Sequence, residues 1–307
     1  MAERIYKAQT RYLFHAHIKI KVSAFYDDSF FDGLFSILED VDKKYNSYQP
    51  DSYIDRINKA AGSFVEVDSE TVNILRQVLE LSDFFAGAYD ITVMPLIRLW
   101  GFYRSEHSRI PTEEEIAENR KLVSYRNIEI EGNKVRIADG QELITGSFIK
   151  AYAVDRLVGY MRQVGVNDAI INAGGSTICA INDNVHPAWQ VIVREPKEEN
   201  VLFNVDIADQ AYSTSSQSKT FLEINGKEYG HILNAKTGMP STNKQVGVIS
   251  DNCMVGDIIS TGLYCLSGED FLQKMEQLSS RYKVEGFLLD EDDRIFGTKR
   301  FVNKKNN

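Results

Sequence analysis

The sequence of 307 residues lacks the features that define several large classes of protein. Its three cysteines, Cys179, Cys253 and Cys265, lie in apolar contexts without metal-ligand spacing, which indicates reduced, buried thiols. No stretch reaches the roughly 18 consecutive apolar residues of a membrane span, and the first residues lack the apolar core of a signal peptide. We therefore expect a cytoplasmic protein without membrane insertion.

Positive charge is also scarce, because 35 basic residues face 44 acidic ones and the formal net charge is −9. No sustained basic run precedes the tail at residues 299–305. Nucleic acid is therefore not an expected partner. A phosphate-bearing ligand would have to be attracted by local donors, by a lysine or by a bound cation, since the overall field repels it.

Three well-known catalytic or nucleotide-binding motifs are missing. The sequence contains no Walker loop and no Gly-x-Gly-x-x-Gly fingerprint. The hydroxyl-rich stretch 213–217 lacks the Gly-x-Ser-x-Gly elbow of an α/β-hydrolase. These absences argue against a P-loop enzyme, a Rossmann dinucleotide enzyme and a Ser-His-Asp hydrolase.

Hydrophobic residues at 43% and charged residues at 26% are typical of a globular protein with a sizeable core. Alternating and helical apolar patterns then predict the elements. Strands are predicted at 16–22, 128–130, 135–137, 168–173, 189–193, 203–207, 221–224 and 285–289, and helices at 30–45, 68–85, 113–121, 150–164, 253–266 and 268–278. This pattern predicts an α+β fold with mixed sheets and packed helices. We expect two interleaved lobes with the site between them.

Asp257 and Thr261 are four residues apart on the helix predicted at 253–266. This spacing places a carboxylate and a hydroxyl on one helix face, and oxygen ligands of this kind suit Mg²⁺. The same spacing also fits a pair of hydrogen-bonding groups in the core. The residues alone leave both interpretations open.

His231 and Lys150 are candidate catalytic residues. A histidine at a strand end can exchange a proton near neutral pH, and it can equally satisfy a backbone carbonyl. Lys150 opens a predicted helix, where its ammonium adds to the anion preference of the helix N-terminus, but a solvated lysine fits the same position.

Two further segments could contact a ligand closely. Gly174 and Gly175 allow the backbone to approach it, although a glycine pair also occurs in ordinary turns. Tyr48, in the polar loop 46–51, could stack on a flat ring system or simply pack against the protein.

Taken in order, these segments resemble the ApbE family of flavin transferases over residues 13–290. The resemblance is carried by six stretches: Tyr48-Gln49-Pro50-Asp51-Ser52, Tyr89-Asp90-Ile91-Thr92-Val93-Met94-Pro95-Leu96 with Leu99-Trp100-Gly101-Phe102, Gly146–Asp155, Asn172-Ala173-Gly174-Gly175, His231–Gly238 and Met254–Thr261. It implies one catalytic domain over 13–290, with residues 113–137 as a surface insertion. Residues 291–307 would form a C-terminal strand and a basic tail.

The resemblance implies a role for each candidate. Asp257 and Thr261 would bind Mg²⁺ through their side chains, and Ser147 through its backbone carbonyl. Lys150 and His231 would be catalytic and would face the substrate FAD. The remaining flavin-binding positions would be Tyr48, Tyr89, Asp90, Ile91, Thr92, Gly174 and Gly175.

The chain departs from the family pattern at three places. Ile144 stands where an aspartate is usual, and Ser176 follows the glycine pair where an acidic residue is common. Leu13-Phe14-His15 replaces the usual Met-Gly-Thr. Each departure removes a side chain that relatives offer to the flavin nucleotide.

The function implied is Mg²⁺-dependent transfer of FMN from FAD to a threonine or serine hydroxyl of a partner protein, with release of AMP. Two alternatives remain at this point: an FAD diphosphatase that gives free FMN and AMP, and a non-catalytic FAD-binding protein. The products separate the three, because only the first leaves FMN covalently bound to protein.

Overall fold

The structure, a computed structural model, describes residues 4–102, 109–197, 200–217 and 220–302. The predicted basic pair Lys304-Lys305 lies outside these ranges. The helices are α1 (Asp28–Tyr45), α2 (Tyr53–Lys59), α3 (Ser69–Phe84), α4 (Met94–Trp100), α5 (Glu113–Arg120), α6 (Ile149–Gln163), α7 (Cys253–Tyr264), α8 (Gly268–Arg281) and α9 (Lys299–Val302). No helix in the described ranges is long and apolar enough to cross a membrane.

Seventeen strands are found in the described residues. They are β1 (Tyr6–Leu13), β2 (Ala16–Ser23), β3 (Val65–Glu66), β4 (Glu129–Glu131), β5 (Lys134–Arg136), β6 (Ala169–Ala173), β7 (Thr177–Ile181), β8 (Trp189–Arg194), β9 (Val201–Ile207), β10 (Ala211–Ser216), β11 (Phe221–Ile224), β12 (Lys227–Gly230), β13 (Leu233–Asn234), β14 (Met239–Pro240), β15 (Gln245–Ser250), β16 (Glu285–Leu289) and β17 (Ile295–Gly297).

Eight strands form the central sheet, in the order β1-β2-β6-β7-β10-β15-β16-β17. Every neighbouring pair in it is antiparallel, so the expectation of a mixed sheet was wrong in this respect. The connection from β15 to β16 shows the reason. It contains two helices, α7 and α8. One helix carries the chain away from the end of β15 and the second brings it back to the same end of the sheet, so that β16 runs antiparallel to β15.

The α+β fold class is confirmed by this arrangement of helices and sheet. One hydrophobic cluster joins β2, β6 and β15 to α1, α3, α6, α7 and α8. A second cluster lies under the hairpin β8–β9 and contains Phe203, Phe287 and Phe301. The sheet is thus covered on both faces, which explains why all six residues of β15 are buried. The division into two lobes stays a prediction.

Local sequence explains where the main helices begin. Asp27 and Asp68 accept hydrogen bonds from the backbone amides of Phe30 and Thr71, and so cap α1 and α3. The N-terminus of α7 is capped twice. Asn252 accepts from the amide of Val255, and Asp155 of α6 accepts from the amides of Cys253 and Met254, each at 2.8 Å.

Part of the segment 113–137 packs against the rest of the protein, whereas its helix α5 is mostly exposed, and the predicted surface insertion stays a prediction. Strand β5 pairs with β3 as well as with β4, and Val135 and Ile137 are fully buried in the main cluster. Residues 299–302 form helix α9 instead of a tail, because Phe301 is buried under the hairpin β8–β9.

A buried carboxylate organises the end of the sheet where β6 begins. Asp168 accepts hydrogen bonds from Tyr6 at 2.5 Å, Arg4 at 2.7 Å, His186 at 2.9 Å and Trp189 at 3.1 Å. We call these five residues the Asp168 cluster. Burial favours the neutral acid, but the hydrogen bonds outweigh it and lower the pKa of Asp168.

Candidate active site

Helix α7 lies directly against the hydroxyl-bearing strand β10 and against β15. Gly256 permits this approach, because a methyl group there would clash with the hydroxyls of Ser213 and Ser250. The next residue, Asp257, therefore points its carboxylate into a buried space between α7 and the sheet.

Asp257 has few hydrogen-bond donors for a buried acid. The Thr177 hydroxyl lies 3.0 and 2.9 Å from its two oxygens, and a single hydroxyl proton serves both contacts. Ser213 faces the carboxylate but makes no hydrogen bond of ordinary geometry within the described residues. Burial raises the pKa of Asp257 to about 6, although the charge of Lys150 and the nearby hydroxyls oppose the rise.

Two other oxygen atoms are predicted to bind a hard cation together with this carboxylate. The Thr261 hydroxyl donates to the carbonyl of Asp257 at 2.9 Å, which leaves its oxygen lone pairs for an ion. The carbonyl of Ser147 precedes α6, whose first hydrogen bond runs from Tyr152 to Phe148. It is thus outside the hydrogen-bond ladder of that helix.

The oxygen-bearing groups predicted to bind a metal are of the kind that Mg²⁺ prefers. No group of three or more His, Cys, Asp or Glu side chains that could hold a metal occurs within residues 4–102, 109–197, 200–217 and 220–302. One carboxylate with neutral oxygen donors agrees with the few protein ligands that Mg²⁺ usually takes. The residues present fit this ion.

Lys150 lies over the glycine turn that follows β6. Its ammonium donates to the hydroxyl of Ser176, and its charge is close enough to lower the pKa of Asp257. Gly174 and Gly175 both have positive φ, and a Cβ at Gly174 would lie 2.8 Å from that of Ala16. The structure thus brings Lys150, Gly174 and Asp257 together, and Ser176 accepts a hydrogen bond from the Lys150 ammonium.

The turn after α3 also reaches this cluster. The hydroxyl of Tyr89 is 3.0 Å from that of Ser147, and burial together with the charges of Asp90 and Asp257 raises the pKa of Tyr89. Tyr89 therefore joins the metal-side residues to the segment predicted to bind the flavin.

The side chains of Asp90 and Thr92 are occupied within the protein. Asp90 accepts from the amide and hydroxyl of Thr92, both at 2.8 Å, and from the amide of Tyr125 at 2.7 Å. Ile91 is buried, and its carbonyl accepts from the amide of Ile144 at 2.8 Å. These residues hold the turn in shape, so a flavin contact from them would come from the backbone.

Tyr48 lies in a loop fastened to the segment before Ser147. The amide of Ser47 donates to the hydroxyl of Thr145 at 2.9 Å. The ring of Tyr48 is 40% exposed and stands edge-on to His15, with the ring centroids 5.8 Å apart. The predicted stacking of Tyr48 on a flavin ring stays a prediction.

His231 follows β12 and has a defined tautomer. Its Nδ1 lies 3.1 Å from the carbonyl of Thr220, which can only accept, so Nδ1 carries the proton. Burial lowers the pKa of this histidine. Ala235, four residues later, donates its amide to the carbonyl of Ala88 at 3.1 Å, which places the histidine segment beside the Tyr89 turn.

Two residues of the site escape sequence reasoning. Thr177 holds the Asp257 carboxylate from 80 positions away, and Asp155 caps α7 from almost 100. Thr177 has no sequence signal beyond its place after the glycine turn. Asp155 ends the stretch Gly146–Asp155 that carries the family resemblance, but no sequence signal gives its role as the cap of α7.

Known proteins agree with this fold and with the sequence pattern. A model of the ApbE family matches residues 14–285. A "FAD:protein FMN transferase" of Vibrio cholerae serotype O1 is 28% identical over 242 residues, which are 76% of this chain and 72% of that protein. One from Haemophilus influenzae is 27% identical over 278 residues, 86% of this chain and 79% of that protein.

Solved structures show the same architecture. An ApbE protein from Thermotoga maritima has a TM-score of 0.89 at 23% identity, covering 99% of this chain and all of the other. The Pseudomonas stutzeri flavinyl transferase ApbE has a TM-score of 0.84 at 24% identity, covering 98% and 97%. Fold, family model and relatives agree, and the chain belongs to the ApbE family.

Proposed function

We propose that this protein transfers FMN from FAD to a threonine or serine hydroxyl of a partner protein, in a magnesium-dependent reaction that releases AMP. One observation supports the proposal most strongly. In this member of the ApbE family, the buried carboxylate of Asp257 accepts few hydrogen bonds and lies near Lys150 and the Ser147–Tyr89 pair. Because few protein groups donate hydrogen bonds to this carboxylate, the site suits a magnesium ion and the diphosphate that it would bind.

Asp257, Thr261 and the carbonyl of Ser147 would hold the magnesium ion. Magnesium supplies positive charge that stabilises a reacting diphosphate. Lys150 would contribute a second positive charge, and Ser176 would orient its ammonium. Gly174 and Gly175 would leave space for the phosphates beside that ammonium.

In the proposed reaction the acceptor hydroxyl oxygen forms a bond to the FMN-side phosphorus. The bond from that phosphorus to the bridging oxygen breaks, and AMP leaves with this oxygen. His231 would accept the hydroxyl proton at Nε2, because Nδ1 already donates to the Thr220 carbonyl. The lowered pKa of His231 keeps the ring neutral near pH 7, as a base requires.

The test is to incubate the protein with FAD, Mg²⁺ and a lysate of its own source, then to denature the mixture and examine protein bands for flavin fluorescence. Covalent fluorescence that disappears with Asp257→Asn supports FMN transfer. Chromatography of the small molecules distinguishes the two alternatives. Free FMN and AMP without labelled protein indicate a diphosphatase, and intact FAD indicates a binding protein.

A further inference from the structure

A second concave site lies behind the turn that carries Tyr89. It is a cavity of about 290 Å³ between the turn after α3, the end of α5, the 3-10 turn Tyr125–Asn127 and the turn 234–238. Asp90 is the one predicted flavin-binding position among its lining residues, and its side chain is held by Thr92 and Tyr125. The volume of the cavity is near the lower end of sites that take small molecules.

Three of the four charged side chains around this cavity are basic. Arg120, Arg126 and Lys236 reach it from three separate segments of a chain whose net charge is −9. Arg126 is shared with neighbours, since it donates to the Tyr125 hydroxyl at 3.0 Å and lies 3.3 Å from Asp83. Arg120 and Lys236 form no ion pair within the described ranges.

Asp90 is the one acidic side chain among the lining residues, and burial raises its pKa despite the hydrogen bonds that it accepts, which disfavours a negative charge at this position. Its oxygens accept three hydrogen bonds from Thr92 and Tyr125, at 2.7 to 2.8 Å. The cavity therefore presents an excess of positive charge, and two of its cations have no ion-pair partner among the residues that the structure describes. Such an arrangement favours a negatively charged ligand.

The cavity is separate from the proposed active site. Tyr89 directs its hydroxyl to Ser147, whereas the next side chain, Asp90, lines the cavity. Lys150, Asp257 and Thr261 do not line it. A ligand here would therefore lie on the other side of the segment predicted to contact the flavin.

We propose that this cavity binds a small phosphate dianion, with Arg120 and Lys236 as its main partners. Arginine offers two parallel donors to phosphate oxygens, and lysine adds a compact charge. The dianion is either free phosphate or the phosphate group of a nucleoside monophosphate such as AMP. The proposal does not depend on FMN transfer, because its probe is phosphate itself.

Calorimetric titration of inorganic phosphate into metal-free protein at low ionic strength tests this site. We expect wild type to bind phosphate and Arg120→Gln/Lys236→Gln to bind it roughly tenfold more weakly or worse. Lys43→Gln/Lys134→Gln removes the same charge from exposed positions away from the cavity and should bind like wild type. Equal affinity in the two double variants, or no binding by wild type up to about 10 mM, would overturn the proposal.

Parallel titrations with AMP and adenosine identify the source of the phosphate. AMP that binds more tightly than phosphate and weakens in Arg120→Gln/Lys236→Gln indicates a nucleotide, and AMP equal to phosphate indicates phosphate alone. Both results uphold the site. AMP or adenosine binding that is unaffected by the double substitution, with no phosphate binding, places the ligand elsewhere and overturns it. Thermal melting confirms that both double variants are folded.

Discussion

Two buried aspartates at opposite parts of the molecule have similar exposure, 5% for Asp168 and 8% for Asp257, but very different surroundings. Asp168 receives hydrogen bonds from four side chains, and its pKa is lowered. Asp257 receives one hydroxyl proton, and its pKa is raised to about 6. Burial alone therefore does not identify a functional acid. A buried carboxylate that accepts too few hydrogen bonds indicates a cation-binding site.

The largest contrast should come from replacing each acid by its amide. Asp257→Asn should reduce magnesium-dependent FMN transfer at least ~10³-fold, because the ion loses its one charged ligand. Asp168→Asn should keep the rate per folded molecule within about threefold, since the Asp168 cluster lies outside the proposed site. Rates and thermal melts of both variants provide the measurement. Magnesium-dependent activity in Asp257→Asn would refute the metal assignment.

The two regions also offer a matched pair of histidines. His231→Ala should lower kcat by ~10²–10⁴-fold if its imidazole accepts the proton of the acceptor hydroxyl. His186→Ala, in the Asp168 cluster, should chiefly lower the melting temperature. Single-turnover rates across pH 5–8 distinguish the roles. A small loss with an unchanged pH profile would make His231 a positioning residue.

The stability of the folded protein should change in Asp168→Asn, the variant whose activity is expected to change little. Asp168→Asn should lower the free energy of unfolding by about 2 kcal/mol, because Arg4, which is partly exposed, and the other donors of the Asp168 cluster lose a charged acceptor. Urea denaturation near pH 7 measures this loss. A change below about 1 kcal/mol would show that these donors find other partners or water.

The pH dependence of stability gives a further contrast. The folded protein raises the pKa of Asp257 from 3.8 to about 6, so the charged form is disfavoured in the fold. In metal-free protein this one group should therefore add stability as pH falls from 7 through 6 toward 4, by up to about 3 kcal/mol, while acids with a lowered pKa, such as Asp168, act in the opposite direction. Asp257→Asn lacks this gain, so its advantage over wild type at pH 7 should shrink on acidification. Denaturation series of both proteins in chelator test this, and parallel curves would contradict it.

The smallest expected effect concerns the exposed rings. Tyr48→Ala should raise the KM for FAD about tenfold, since a stacking contact contributes roughly 0.5–1.5 kcal/mol beyond its buried area. Tyr12, which is 62% exposed and stands edge-on to His17, supplies the control. Tyr12→Ala should leave this KM unchanged. Equal effects from both substitutions would remove the stacking role.

Elements set by local periodicity were predicted well from the sequence. Helices α1, α3, α6 and α7 were predicted within a few residues, and β16 was predicted with its observed bounds. Asp257 and Thr261 were placed on one face of α7, because their spacing depends only on helix geometry. Such features need no knowledge of distant parts of the chain.

The sequence could not predict contacts made across the sheet. Strand β10, Ala211–Ser216, carries hydroxyls where a buried strand usually has branched apolar residues. Ser215 instead hydrogen bonds with Ser260 of α7 at 2.9 Å. Thr177 reaches Asp257 in the same layer. These polar contacts stabilise the site only after the sheet has formed, so no local pattern reveals them.

The position of α7 has a consequence for slow motions. This helix contacts β10, β15, α6 and α3, and most of its residues are buried, so its amides should exchange with deuterium only when the whole domain opens. The loop 46–51, on the surface, should exchange by brief local openings. Deuterium uptake over seconds to days should then label the loop 46–51 early and helix α7 last, so that two segments predicted to bind the same substrate differ in how fast they open.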